Sequence, residues 1–124
     1  MTFEIKRVYD PAQSSDGVRV LVDRLWPRGL RKSDAHLDHW MKDVAPSPRL
    51  RLWFGHKPER FAEFSKRYKR ELASNTGITK LRKLGRSSTV TLLYGARDAN
   101  ANHAVVLQSV LRKQPGAKRA KRPA

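Results

Sequence analysis

Two short segments hold most of the side chains that could do chemistry. One is Asp23-Arg24-Leu25-Trp26-Pro27-Arg28-Gly29, and the other is Tyr94-Gly95-Ala96-Arg97-Asp98-Ala99-Asn100. Each follows an apolar, β-rich run, and in an open α/β sheet ligands bind beyond the carboxyl ends of the strands. If the two runs are parallel neighbours, Asp23 and Asp98 meet at one end of the sheet with Arg24, Arg28 and Arg97. Arginine matches phosphate or carboxylate through paired N–H donors. Trp26 and Tyr94 add aromatic walls, and Asn102 opens a helix whose first N–H groups favour anions. The expected site is an anion pocket. In it Arg28 and Arg97 grip the ligand, Asp23 orients Arg24 or Arg28, and Asp98 or Asn102 polarises a ligand hydroxyl or water. Such a carboxylate beside arginines would suit transfer or hydrolysis at a phosphoryl-like or glycosidic centre, although whether any reaction follows is left open. The plainer alternative assigns Asp23 and Arg24 to an ion-pair network, Asp98 to capping the last helix and Trp26 to plugging the core.

The histidines add little. His36 and His39 stand three apart in a segment that reads as helix, a spacing open to metal, but their expected place is a solvated face. His56 lies in a loop near Trp53 as a candidate general acid or base. No metal site and no cofactor is expected, and no Walker loop, dinucleotide fingerprint, nucleophile elbow or zincin motif is present.

The elements that must position these residues follow from periodicity. Phe3–Tyr9 reads as a strand near an edge. Val18, Val20 and Val22 alternate in a second strand, and Thr89–Tyr94 is a continuous apolar run suited to a buried central strand. Ser33 is an expected N-cap for a helix carrying Leu37, Trp40, Met41 and Val44, stopped by Pro46. Ser47-Pro48 opens a short helix with Leu50, Trp53 and Phe54. Pro58 opens a longer one faced by Phe61, Phe64, Tyr68 and Leu72. Ile78, Leu81 and Leu84 mark a basic helix closed by Gly85. Asn102–Leu111 is the last helix, with Val105, Val106, Val110 and Leu111 inward. The predicted fold class is α/β: a small, mostly parallel sheet of three to four strands flanked by helices on both faces. The link between the first two strands is short for a crossover, which leaves the first strand antiparallel or its connection cramped.

Composition bounds the partners. The 124 residues carry 27 Lys plus Arg against 11 Asp plus Glu, a formal net charge of +16, with 39% hydrophobic and 31% charged residues. Such a charge attracts polyanions. Residues 1–112 form the expected single domain. Residues 113–124 (KQPGAKRAKRPA) hold five cations and no large apolar side chain, and are expected to be a disordered basic tail. Nucleic-acid candidates are Lys80, Arg82, Lys83 and Arg86 on the basic helix, with Lys118, Arg119, Lys121 and Arg122 in the tail. Binding through these would be non-specific and salt-dependent. A non-enzymatic nucleic-acid-associated protein is therefore the alternative to a small-anion pocket, with an adaptor for acidic proteins as a third option. The chain has no cysteine, which excludes disulfides, thiol nucleophiles and thiolate metal sites. No apolar run suits a membrane span and residues 1–25 show no signal-peptide pattern, so a cytoplasmic protein with no membrane partner is expected. Oligomeric state is not readable.

The run Val18-Arg19-Val20-Leu21-Val22-Asp23-Arg24-Leu25-Trp26-Pro27-Arg28-Gly29 resembles the signature of the YeaO-like proteins, domain-of-unknown-function family 488. Lys6–Asp10, Trp40-Met41-Lys42, Ala45-Pro46-Ser47, Leu50–His56, Phe64, Tyr68, Glu71, Leu72 and Thr91–Asp98 with Asn102 are similar too, so the resemblance spans residues 3–111. It implies a small bacterial α/β domain and supplies no reaction. The family's longer branch carries Cys-His-Arg at the last strand-to-helix junction, where this chain has Asn102 and His103. A thiol mechanism imagined for that branch does not transfer. Lys57 and Phe61 stand where the resemblance leads one to expect Asp and Trp.

Overall fold

A computed structural model describes residues 1–113. The expected tail lies outside them apart from Lys113. Four strands, β1 (Phe3–Arg7), β2 (Val18–Leu21), β3 (His39–Trp40) and β4 (Val90–Tyr94), form one sheet in the order β1-β4-β2-β3. Every neighbouring pair is parallel. β4 is central and all five of its residues are buried, as its continuous apolar run requires.

β1 is thus parallel to β4, and the connection to β2 is the cramped option. It fits because of two residues. Gly17 has φ +66, and a Cβ there would stand 2.2 Å from the Thr89 carbonyl oxygen. Asp16 is only 6% exposed, and its carboxylate accepts from Lys6 Nζ, Arg19 Nη1 and the Gln13 N–H. The carboxylate therefore ties the link to both flanking strands.

Register divides the sheet into two faces. Phe3, Val20, Val22, Val90, Leu92 and Tyr94 point into the main core, under α2 (Pro48–Phe54), α3 (Phe61–Ala73), α4 (Thr76–Ser87) and α5 (His103–Arg112). Val8, Leu21 and Leu93 face the other way, against Trp26, Leu30, Leu37 and Trp40. The expected α/β class is what forms, a four-stranded parallel sheet flanked by helices, but the four longer helices all cover one face. The second face is covered by loops and a single turn of helix, α1 (Lys32–Ala35).

The helix expected from Ser33 to Val44 is corrected for the same reason. After α1, His36 takes a left-handed conformation (φ 49), β3 follows, and a 3-10 turn spans Lys42–Val44. The helical spacing of Leu37, Trp40, Met41 and Val44 does not mark one face. Leu37 and Trp40 pack on the loop side, while Val44 enters the main core. His36 and His39 accordingly share no helix.

Elsewhere the local signals act as read. Ser47 Oγ accepts from the Leu50 N–H at 3.2 Å and caps α2 with Pro48 at its first turn. Phe64, Tyr68 and Leu72 bury one stripe of α3, with Phe54 and Phe64 stacked at 4.3 Å. Glu71 accepts from the N–H and hydroxyl of Ser47 at 2.9 and 2.6 Å, fastening α3 to the start of α2. The Tyr68 hydroxyl donates to the Val44 carbonyl, and burial pushes its pKa well above the ordinary phenol value. Gly85 does not close α4, which runs on to Ser87. A Cβ at Gly85 would meet the Phe3 ring at 2.5 Å, so the glycine is there for close packing. In α5 the fully buried positions are Ala104, Val106, Leu107 and Leu111, with Val105 and Val110 half-buried.

Candidate functional site

β2 and β4 run side by side, so their carboxyl ends deliver Asp23 and Gly95 to the same place. The Gly95 N–H donates to Asp23 Oδ2 at 2.9 Å. Gly95 has no side chain to hold them apart, whereas a Cβ would stand 3.0 Å from Oδ2 and 3.4 Å from Pro27. The Trp-Pro-Arg-Gly loop then folds back over the sheet. Trp26 Nε1 donates to the Leu30 carbonyl at 2.7 Å, and its ring meets Trp40 edge-on at 5.3 Å. Trp40 Nε1 donates to the Asp23 carbonyl at 2.8 Å. Arg24 reaches the Pro46 and Ala45 carbonyls, and the Tyr9 hydroxyl donates to the Arg28 carbonyl at 2.6 Å. Each contact uses a group from a different segment, so the loop is pinned on three sides.

The β4–α5 connection is organised by Asp98 and Asn102. Asp98 Oδ1 accepts from the N–H groups of Ala101 and Asn100, which hold its carboxyl below the usual range. Asn102 Oδ1 caps α5 through the Val105 N–H at 3.1 Å, and its amide donates to the Asp98 carbonyl at 2.8 Å. Both polar groups are occupied in shaping the turn, but the cap of α5 is Asn102 and not Asp98, which bonds to the N–H groups ahead of the helix.

Between these loops and α2 lies a cleft of about 640 Å³. Of the residues singled out in the sequence, Asp23, Arg24, Trp26, Arg28, Arg97 and Asn102 line it. Tyr94 instead sits in the main core, where burial first and the Asp10 charge second raise its pKa. Asp98 is exposed on the loop, away from the lining. Arg7, Tyr9, Arg51 and His103 line the cleft without having been foreseen, and His56 joins them. Arg7 arrives because β1 is parallel to β4, which puts its carboxyl end at the same edge. The alternation of Phe3–Tyr9 does not reveal that direction. Arg51 comes from the second turn of α2, and nothing in its local sequence separates it from the other surface arginines.

The charges of the cleft are lopsided. Five arginines and two histidines line it, against the single carboxylate of Asp23. That carboxylate is already engaged. His103 Nε2 lies 3.0 Å from Asp23 Oδ1 and 3.1 Å from the Val22 carbonyl. Both neighbours are acceptors, so Nε2 carries a proton. The N–H aligns with the carbonyl, which leaves Oδ1 buried without a linear hydrogen bond. Asp23 thus contacts Gly95 and His103, not Arg24 or Arg28, and acts as a frame for the site. Arg28, Arg51 and Arg97 are exposed and, among the described residues, have no carboxylate within salt-bridge distance. No group of three His, Asp or Glu side chains among those residues could hold a metal ion.

The nucleic-acid candidates are split. Lys80, Lys83 and Arg86 are exposed along α4. Arg82 is half-buried and donates to the Val110 and Lys113 carbonyls at 3.1 and 2.9 Å, closing the end of α5. Lys118, Arg119, Lys121 and Arg122 lie outside the described residues. No helix among the described residues is long and apolar enough to cross a membrane.

Comparison with known proteins agrees with the sequence resemblance. The family described as "Inactive DUF488-N3 subclade" matches residues 2–124. The chain is 46% identical over 113 residues to the uncharacterized protein YeaO of Escherichia coli (strain K12), covering 90% of this chain and 98% of that one. It is 48% identical over 107 residues to the uncharacterized protein Rv3073c of Mycobacterium tuberculosis (strain ATCC 25618 / H37Rv), covering 86% and 91%. No solved structure matches. With its Asp23-to-Gly29 loop and parallel sheet in place, the chain belongs to the YeaO-like DUF488 family.

Proposed function

We propose that the cleft binds a small phosphate-bearing, nucleotide-like anion. The observation that carries this reading is convergence. Arg7, Arg24, Arg28, Arg51 and Arg97 come from four separate parts of the chain to one cleft whose only carboxylate is paired with neighbouring protein groups. Unpaired guanidinium groups in a concave site favour an anion, and their forked donors suit phosphate. The volume is within the range of small-molecule sites. Tyr9 and Leu25, 39% and 60% exposed at its rim, offer an apolar wall for the uncharged part of such a ligand.

Binding without turnover is the form of this reading that the family description favours, since the matching subclade is described as inactive. This chain has no cysteine to act as a nucleophile. The one carboxylate of the cleft accepts the Gly95 N–H through Oδ2 and holds Oδ1 buried beside His103, where it frames the site.

The test is thermal unfolding with inorganic phosphate, sulfate, a nucleoside and its mono- and diphosphates. A ligand at a hundredfold excess over its Kd raises stability by about 2.7 kcal/mol. That amounts to roughly 10 °C for a domain of this size. Arg28→Ala and Arg97→Ala should leave the unliganded midpoint nearly unchanged and abolish most of the shift. No shift of the parent by any of these anions, or shifts in both variants as large as the parent's, refutes the reading.

A further inference from the structure

α2 and α3 carry a second concentration of positive charge. Residues 48–73 contain eight Lys and Arg against three Asp and Glu. Two of those acids are already engaged, Glu71 with Ser47 and Glu63 with Arg67 Nε at 3.0 Å. Within this charge sits an apolar side chain that the fold does not use. Leu50 and Phe54 form the buried side of α2, whereas Leu52 is 72% exposed, more than any other large apolar residue described.

Next to Leu52 is Trp53, whose ring packs against the main core. Two guanidinium groups lie over that ring. Arg67 Cζ is 4.4 Å from its centroid and Arg60 Cζ is 5.2 Å away. Arg60 Nη1 also donates to the Trp53 carbonyl. Both arginines are therefore positioned before any partner arrives, which lowers the cost of ordering them on binding. Arg70 follows Arg67 by three residues on the same side of α3, and Arg49 precedes Leu52 by three on the same side of α2. Both are exposed. No carboxylate among the described residues lies within salt-bridge distance of Arg49, Arg60 or Arg70. None of these side chains lines the cleft, which α2 borders through Arg51 and Phe54 instead.

From this arrangement we infer that the outer face of α2 and α3 is a docking surface for an acidic protein segment that sets an apolar side chain on Leu52. An exposed apolar residue beside Trp, ringed by arginines, has the composition of an interface centre with its polar rim. The arginines call for carboxylates on the partner. A second copy of this chain would bring the same cations to the same place and repel. Single-stranded nucleic acid fits less well, because the Trp53 ring is packed on the core and covered by guanidinium groups, leaving Leu52 with no open aromatic face beside it on which a base stacks. A membrane also fits less well, since Leu52 is the single strongly exposed apolar residue of a seven-residue helix. Arg60 to Arg70 covers about 15 Å, the length of roughly five extended residues, so a short peptide spans the face.

The experiment selects a displayed library of random twelve-residue peptides on the full chain, then measures the enriched peptides by anisotropy. They should carry several Asp or Glu around a Leu, Ile, Met or Phe. Leu52→Gln should weaken their binding about tenfold, as should replacing the peptide's apolar residue by Ser. Arg49→Gln/Arg70→Gln should weaken it by a similar factor at low salt and reduce its salt dependence. All these protein side chains are exposed, so the thermal midpoints should match the parent's. Arg28→Ala/Arg97→Ala should bind the peptides like the parent, which makes failure of this surface distinguishable from failure of the cleft. The inference is overturned if no acidic sequence is enriched, or if the enriched peptides keep parental affinity for the Leu52 variant or the Arg49/Arg70 variant. It is also overturned if a single-stranded oligonucleotide or anionic vesicles displace the peptides and lose affinity for both variants.

Discussion

Removing the carboxylate of Asp16 tests the account of the β1–β2 link. In Asp16→Ala, Arg19 keeps the bonds its Nε and Nη2 donate to the His36 and Ala35 carbonyls, both at 2.9 Å. Nη1 and the Gln13 N–H lose their partner, while Lys6 Nζ keeps the Pro11 carbonyl at 2.8 Å. Arg19 is 5% exposed, so its charge stays uncompensated in the interior. Breaking a buried pair costs about 3–5 kcal/mol. The Lys6 side chain retains 17% exposure and can turn toward water, which places the expectation at the low end, about 3 kcal/mol. In a domain of this size that lowers Tm by roughly 12 °C. Urea unfolding at pH 7 should show the loss as a lower midpoint with an unchanged m-value. The pH dependence is a second check. Burial works against ionisation of Asp16, but the Gln13 N–H and then Lys6 and Arg19 outweigh it and hold the carboxyl below its ordinary value. A depressed carboxyl contributes stability that is present above the unfolded pKa, about 3.9, and is lost as pH falls through the folded value. The gap between parent and variant should therefore be flat from pH 7 to about 5 and narrow below about 4. A loss under 1 kcal/mol, or a gap that ignores pH, refutes the reasoning.

Two further substitutions probe the backbone and the site's frame. Gly17→Ala and Gly29→Ala both place a side chain at positive φ, +66 and +75, but only the first meets a backbone oxygen, at 2.2 Å. Gly29→Ala should cost about 1–2 kcal/mol and Gly17→Ala several more, read by urea unfolding or by loss of soluble protein. Asn102→Ala removes the α5 cap and the contact to the Asp98 carbonyl. It should cost about 1–2 kcal/mol and speed amide exchange in the first turn of α5 while leaving α3 protected.

What could be read from the sequence was whatever one segment decides for itself. Ser47-Pro48, the Phe64-Tyr68-Leu72 stripe and the apolar run before Tyr94 each meet one environment, so their patterns are uncontaminated. Leu37, Trp40, Met41 and Val44 mimic a helix face because the chain there crosses between two cores, and periodicity cannot show that a segment changes sides. Gly85 reads as a helix end, yet its bare Cα serves Phe3, more than eighty residues away in the chain. The same limit governs the cleft. Asp23 and Arg97 follow strands of unmistakable type, so their meeting is foreseeable. Arg7 and His103 enter only through strand direction and helix docking, which no local pattern carries. Tyr94 and Asp98 have suitable chemistry but are consumed by core packing and turn geometry.

Placing the chain's last strand at the centre of the sheet has a consequence for how the protein is made. β1 and β2 do not touch each other, and each finds its main partner only in β4. β2 ends at Leu21 and β4 begins at Val90, so a ribosome adding 5–20 residues per second leaves both strands waiting for roughly 4–14 s. During that interval Val20, Val22 and Phe3 are exposed on a nascent chain with unsatisfied strand edges, the condition in which chaperones and proteases compete with folding. A chain terminated before Val90 contains α1 to α4 and the β2–β3 pair, and yet lacks the strand that joins β1 to β2.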